Sequence, residues 1–185
     1  AGKYSFKDTI SYDFQDLDPN DKYHKLGREY RLYLPLYNSV NWLEIGVPDG
    51  ATFSYLPVRP EKPIVAYGTS IMQGACASRP GMAWTSILSR KLDRQIINLG
   101  FSGNGRLEKE VNDLVAEVDA SLYILDCLPN LTIRTAPDYT MTAEEVKKRL
   151  IDAVHTIRQK HPTTPIVLAG HPGCTDGAIN PNRLS

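Results

Sequence analysis

Apolar residues recur along this chain with two different periods, and the change between them falls near residue 60. Up to that point the runs are short and alternate, as in Tyr30-Arg31-Leu32-Tyr33-Leu34 and Trp42-Leu43-Glu44-Ile45-Gly46-Val47. Alternation puts apolar side chains on one face of a strand. Turn-forming residues at Asp18-Pro19-Asn20, Asn38-Ser39 and Pro48-Asp49-Gly50 break the runs at short intervals, which predicts a small antiparallel β unit over residues 1–60. Arg59-Pro60-Glu61-Lys62-Pro63 reads as the linker to a second domain, residues 61–185.

Beyond the linker, four continuous apolar runs appear: Ile64-Val65-Ala66-Tyr67, Ile96-Ile97-Asn98-Leu99, Leu122-Tyr123-Ile124-Leu125 and Ile166-Val167-Leu168-Ala169. Runs of this kind suit parallel strands buried on both faces. Between them apolar positions recur at helical spacing, with Leu107, Val111, Leu114, Val115 and Val118 on one face and Val146, Leu150, Ala153, Val154 and Ile157 on another. Thr142 with Glu145 forms a capping box at the head of the second helix. Strands alternating with helices predict right-handed βαβ units, hence an α/β fold with helices on both faces of a parallel sheet.

In such a sheet, ligands collect where strands end. The four strands run into Gly68-Thr69-Ser70, Gly100-Phe101-Ser102-Gly103-Asn104-Gly105, Asp126-Cys127-Leu128-Pro129-Asn130 and Gly170-His171-Pro172-Gly173, all on one edge. A serine at a strand-to-helix turn, near the positive end of the helix, can attack an acyl carbon while its own N–H holds the developing oxyanion. Ser70 fits that description, although a serine there also serves as a helix cap. A glycine after a strand lets a backbone N–H approach a ligand, and an asparagine amide is a neutral oxyanion donor. Gly103 and Asn130 are the candidates, with a tight turn and an Asx-type turn as their plainer readings.

Taken together, Tyr-Gly-Thr-Ser, Asn-Leu-Gly-Phe-Ser-Gly and Asp-Cys-Leu-Pro-Asn, after a Tyr- and Trp-rich β segment, resemble the SGNH (GDSL-like) hydrolases, in the branch with an N-terminal β domain. Ser78-Arg79-Pro80-Gly81-Met82 strengthens the likeness, and Thr69 stands where many relatives have aspartate. The resemblance implies a three-layer α/β/α sandwich of flavodoxin-like type. It also implies Ser70 as nucleophile, Gly103 and Asn130 as oxyanion donors, and hydrolysis of small-molecule esters, acylated carbohydrates among them, without a cofactor or metal.

The same resemblance calls for a late Asp-x-x-His motif after a fifth strand, and none follows the fourth strand: the two such spacings, Asp21 to His24 and Asp152 to His155, both come before it. Of the four histidines, His24 lies in the N-terminal segment, and His155 and His161 fall on or just after the helix that precedes the last strand. His171, with Asp176 nearby, is on the correct edge but follows the fourth strand. The expectation is a fragment lacking the last strand and the base, and inactive or nearly so, since losing a triad member costs on the order of 10⁴ to 10⁶ in turnover.

Composition narrows the alternatives. Lysine plus arginine equals aspartate plus glutamate at 21 each, without basic clusters, so neither nucleic acid nor an anionic membrane is an expected partner. No apolar run approaches the roughly 20 residues of a membrane span, and the opening AGKYSFKDTI has no signal-peptide core. A chain that begins at Ala1 fits a processed export product, periplasmic or secreted, as well as a trimmed one. Cys76, Cys127 and Cys174 have neither zinc nor disulfide-framework spacing and read as free thiols. Two rival functions stay open: a glycan-binding module that does not cleave, and a nucleotide-binding domain, although Gly100 to Gly105 spells GxxGxG rather than GxGxxG.

Overall fold

A computed structural model describes residues 30–131 and 141–170. Two compact units divide the chain, Ala1–Leu32 and Tyr33–Ser185, and the sheet lies wholly in the second. Its strands are β1 (Ile64–Gly68), β2 (Ile96–Gly100), β3 (Leu122–Asp126) and β4 (Ile166–Leu168), all parallel, in the order β2-β1-β3-β4. The helices are α1 (Ser70–Gln73), α2 (Trp84–Leu92), α3 (Lys109–Val115), α4 (Leu128–Leu131) and α5 (Ala143–Lys160), with a 3₁₀ turn at Pro80–Met82. The predicted α/β class and parallel sheet are present.

Position in the sheet decides burial. β1 lies between β2 and β3, and all five of its residues are buried. The run in β2 is only partly covered, and Val167 and Leu168 of β4 are exposed, because these strands border the sheet among the described residues. An apolar run alone does not distinguish a central strand from a bordering one. The core gathers Val65, Tyr67, Tyr123 and Leu125 from the sheet, with Val115 at the end of α3, Ala116 just after it, and Ala153 and Ile157 of α5.

Helix α5 starts as predicted. Thr142 Oγ1 accepts from Glu145 N at 3.2 Å, Glu144 and Glu145 occupy the first turn, and Arg158 and Lys160 the last, each charge matched to the helix dipole. Helix α3 is shorter than its pattern. Leu107 precedes it with φ +56 yet is buried, and Leu114, expected on the core face, is exposed.

The expected turn at Pro48-Asp49-Gly50 forms, with Ala51 N donating to Pro48 O at 3.0 Å and Gly50 at φ +81. The alternating runs Tyr30–Leu34 and Trp42–Val47 have no ladder partner among the described residues and are not strands there. A strand is stable only when its N–H and C=O groups meet another's.

Strand order places the ligand edge. From β1 the chain crosses to β2 on one side, then returns to β3 on the other, so the C-terminal ends of β1 and β3 flank the point where the winding reverses. At that point Thr69 N donates to Asp126 O at 3.2 Å.

Candidate active site

Ser70 is the first residue of α1 and follows directly on the β1 turn. Thr69 is the N-cap, its Oγ1 accepting from Ile71 N at 3.3 Å, so capping falls to Thr69 and leaves the Ser70 hydroxyl free for other work. The helix stops after one turn because Gly74, at φ +102, sends its N–H back to the Ser70 and Ile71 carbonyls. Ser70 is half-buried at the rim of the sheet.

The loop after β2 is packed onto that turn. Phe101 N donates to Gly68 O at 2.9 Å, and the Phe101 ring meets the Tyr67 ring edge-on at 6.0 Å. Gly105 approaches so closely that a Cβ there would fall 2.1 Å from Gly68 O. Gly103 differs: φ is +73, but a Cβ would meet nothing within 4 Å. A side chain at Gly103 would therefore project into open space.

Asn130 lies in the short α4 after β3, its own N–H donating to Cys127 O at 3.1 Å. Its Nδ2 donates to Asn104 O at 2.6 Å, which fastens the third loop to the second. An amide nitrogen carries two hydrogens, so the bond to Asn104 uses one of them and orients the group. The loops of Ser70, Gly103 and Asn130 are thus bound to one another at the sheet edge.

Several residues that the motifs did not single out hold this arrangement. Glu108 Oε2 accepts from Tyr67 Oη at 2.7 Å and from Arg106 N at 2.9 Å. Arg149 of α5 donates through Nη1 to Arg106 O at 3.0 Å while its Nε pairs with Glu145 at 2.8 Å, and Arg106 Nη2 reaches Gly103 O at 3.1 Å. Burial, then the hydrogen bond to Glu108, pushes the Tyr67 phenol far above its ordinary range. Burial also pushes Glu108 up, but the bonds it accepts and the nearby Arg149 charge outweigh this and hold the carboxyl below its ordinary value. On β2, Asn98 donates to Met72 O at 2.9 Å and Thr85 Oγ1 at 2.8 Å and accepts from Gly100 N at 2.9 Å. A polar residue inside an apolar run, as in Ile96-Ile97-Asn98-Leu99, was the available signal for it.

Neither described histidine bonds to Ser70. His155 is exposed on α5. His161 Nε2 lies 3.0 Å from Ala116 O, with its ring against Tyr123, at the opposite end of the strands. His24, His171 and Asp176 lie outside the described residues, as does Cys174. Cys76 is an exposed free thiol and Cys127 a buried one, the latter pushed up by burial and by the Asp126 charge. Among the described residues there is no group of three or more metal-ligating side chains, and no helix is long and apolar enough to cross a membrane.

Residues 61–185 match the GDSL-like lipase/acylhydrolase family, and residues 1–53 match the N-terminus of SGNH-type esterases. Among solved structures, the chain is similar to a protein described as a GDSL-like lipase from Bacteroides ovatus ATCC 8483, at 44% identity with a TM-score of 0.70. The match covers 82% of this chain and 42% of that protein, so the chain spans less than half of that relative's length. AlinE4, an SGNH-hydrolase family esterase, is similar in fold at 19% identity and a TM-score of 0.52, over 66% of this chain and 65% of that one. So is the salicylyl-acyltransferase SsfX3 from a tetracycline biosynthetic pathway, at 23% identity and a TM-score of 0.51, over 60% of this chain and 30% of that one. No functionally curated protein matches the chain.

Proposed function

Because the chain belongs to the GDSL-like lipase/acylhydrolase family, we propose that it carries the nucleophile and oxyanion donors of a serine ester hydrolase. Ser70 Oγ bonds to the acyl carbon, and the negative oxygen sits among Ser70 N–H, Gly103 N–H and the second amide hydrogen of Asn130. The bond to the alcohol then breaks, and the proton lost by Ser70 passes through a general base to the departing alkoxide. Water repeats the attack, the acid leaves, and Ser70 recovers its proton. The observation that carries this reading is the joining of three loops at one sheet edge, through Gly105 against Gly68 and Asn130 on Asn104.

The preferred substrate is a small acyl group on a carbohydrate, by analogy with the family, with the N-terminal segment adding contacts to the sugar. Among the described residues the general base is the weak part, since neither described histidine bonds to Ser70 and both Asp-x-x-His spacings, Asp21 to His24 and Asp152 to His155, precede β4. Turnover by the chain is therefore slow, by about 10⁴ to 10⁶ relative to a complete triad.

Two measurements test this. A fluorophosphonate should label Ser70 slowly, since a single attack needs no turnover but does need the serine proton removed; a chain never labelled there even on prolonged exposure would instead support glycan binding without cleavage. Hydrolysis of p-nitrophenyl acetate should be barely above that of a Ser70→Ala variant, whereas brisk Ser70-dependent turnover would overturn the missing-base reading and promote His171.

A further inference from the structure

Gln73, the last residue of α1, makes two hydrogen bonds in opposite directions. Its Oε1 accepts from Ser102 N at 2.9 Å, and its Nε2 donates to Leu36 O at 2.6 Å. One partner can only donate and the other can only accept, so the amide has a single workable orientation. Ser102 immediately precedes Gly103, and the Gly103 N–H belongs to the peptide that begins at the Ser102 carbonyl. Leu36 belongs to a strap, Tyr33–Leu36, that lies along the α1 turn and the 3₁₀ turn. Leu36 Cδ1 comes within 3.3 Å of where a Cβ on Gly74 would be, and the Tyr33 ring within 3.2 Å of the same point on Gly81. Arg90 holds the strap's other end, donating to Tyr33 Oη at 2.8 Å with its guanidinium 5.5 Å from the ring centroid. The main chain of Gln73 is also hemmed in, since a Cβ on Gly100 would fall 2.1 Å from Gln73 N.

We propose that Gln73 is a positioning residue that couples the Tyr33–Leu36 strap to the Gly103 oxyanion donor. The strap lies within the segment that matches the N-terminus of SGNH-type esterases. Through this one amide the segment orients the peptide on which the nucleophile's partner depends, rather than serving only as an appendage. The link between Leu36, Gln73 and Ser102 stands on geometry alone; its catalytic meaning rests on the nucleophile reading of Ser70 given above.

The test is amide hydrogen exchange of the full chain, read at Ser102 by NMR, with the amides of β1 as the control for global stability. Gln73→Leu removes both bonds and should speed Ser102 exchange about five- to tenfold, the effect of one lost hydrogen bond. Leu36→Ala loosens the strap and should speed it about threefold in the wild-type background but not in the Gln73→Leu background. Gln73→Glu keeps the acceptor and loses the donor, so Ser102 stays protected while Leu36→Ala ceases to matter; this variant gives the answer should Gln73→Leu fail to fold. Unchanged Ser102 exchange in Gln73→Leu, or additive effects of the two substitutions, would overturn the coupling. Fluorophosphonate labelling of Ser70 should slow in Gln73→Leu and be restored in Gln73→Glu. A wild-type chain that never labels at Ser70 sinks the nucleophile reading and leaves the exchange result standing.

Discussion

The side-chain amide of Asn130 donates to the backbone carbonyl of Asn104 at 2.6 Å, joining the end of β3 to the end of β2 across β1. A single hydrogen bond thereby sets which way the second amide hydrogen points. Asn130→Ala should slow fluorophosphonate labelling of Ser70 by about 10² to 10³, the usual cost of one oxyanion donor. The labelling rate checks this, because turnover lies near the Ser70→Ala background; an unchanged rate would remove Asn130 from the site.

Two glycines in one loop should respond differently to alanine. At Gly105 a Cβ would fall 2.1 Å from Gly68 O, a backbone atom that cannot swing aside, so Gly105→Ala should lose several kcal/mol and disturb the Ser70 turn. At Gly103 nothing lies within 4 Å, and only the positive φ opposes a side chain, for a loss of about 1 kcal/mol. Urea unfolding of both variants gives the comparison. Equal losses would mean the close approach at Gly105 is not as described.

The Tyr67–Glu108 pair predicts two limbs of pH dependence. The folded-state pKa of Glu108 lies below its ordinary 4.5, so its contribution is present above that value and is lost as pH falls through the folded pKa. That of Tyr67 lies above its ordinary 10.0, so its contribution is complete below that value and declines as pH rises beyond it, where the unfolded phenol ionises first. Glu108→Gln should flatten the acid limb and Tyr67→Phe the alkaline one, read as urea midpoints across pH. A variant that shifts all pH values equally would point to packing instead.

Thiol chemistry separates two of the cysteines. Cys76 is exposed, whereas Cys127 is 1% exposed, donates to Tyr67 O at 3.8 Å and has its thiol pushed up by burial and the Asp126 charge. Iodoacetamide followed by peptide mapping should therefore modify Cys76 at least about a hundredfold faster than Cys127, because the thiolate is the reactive form. Comparable rates would show that the β3 end opens readily.

The four strand runs, the capping box at Thr142 and the turn at Pro48-Asp49-Gly50 were legible in the chain because each depends on neighbours within a few residues. The candidates Ser70, Gly103 and Asn130 were legible for a related reason: each follows a strand end, and parallel strands bring their ends to one edge. Less could be read where exposure depends on distant partners. Leu114 had the spacing of a core residue and faces solvent, and β2 and β4 had the composition of central strands and lie at the sheet's borders among the described residues.

By itself, then, the sequence determined the α/β class, the edge on which chemistry-bearing residues gather and the resemblance of their motifs, since these follow from local periodicity and order along the chain. Only the tertiary structure decided that the Asn130 amide donates to Asn104, that Glu108 joins Tyr67 to the Arg106 backbone, and that Gln73 spans from Leu36 to Ser102. Apart from the one between Arg106 and Glu108, those bonds connect residues 26 to 41 positions apart, and a hydrogen bond's existence depends on placement to within a few tenths of an ångström, which periodicity does not encode.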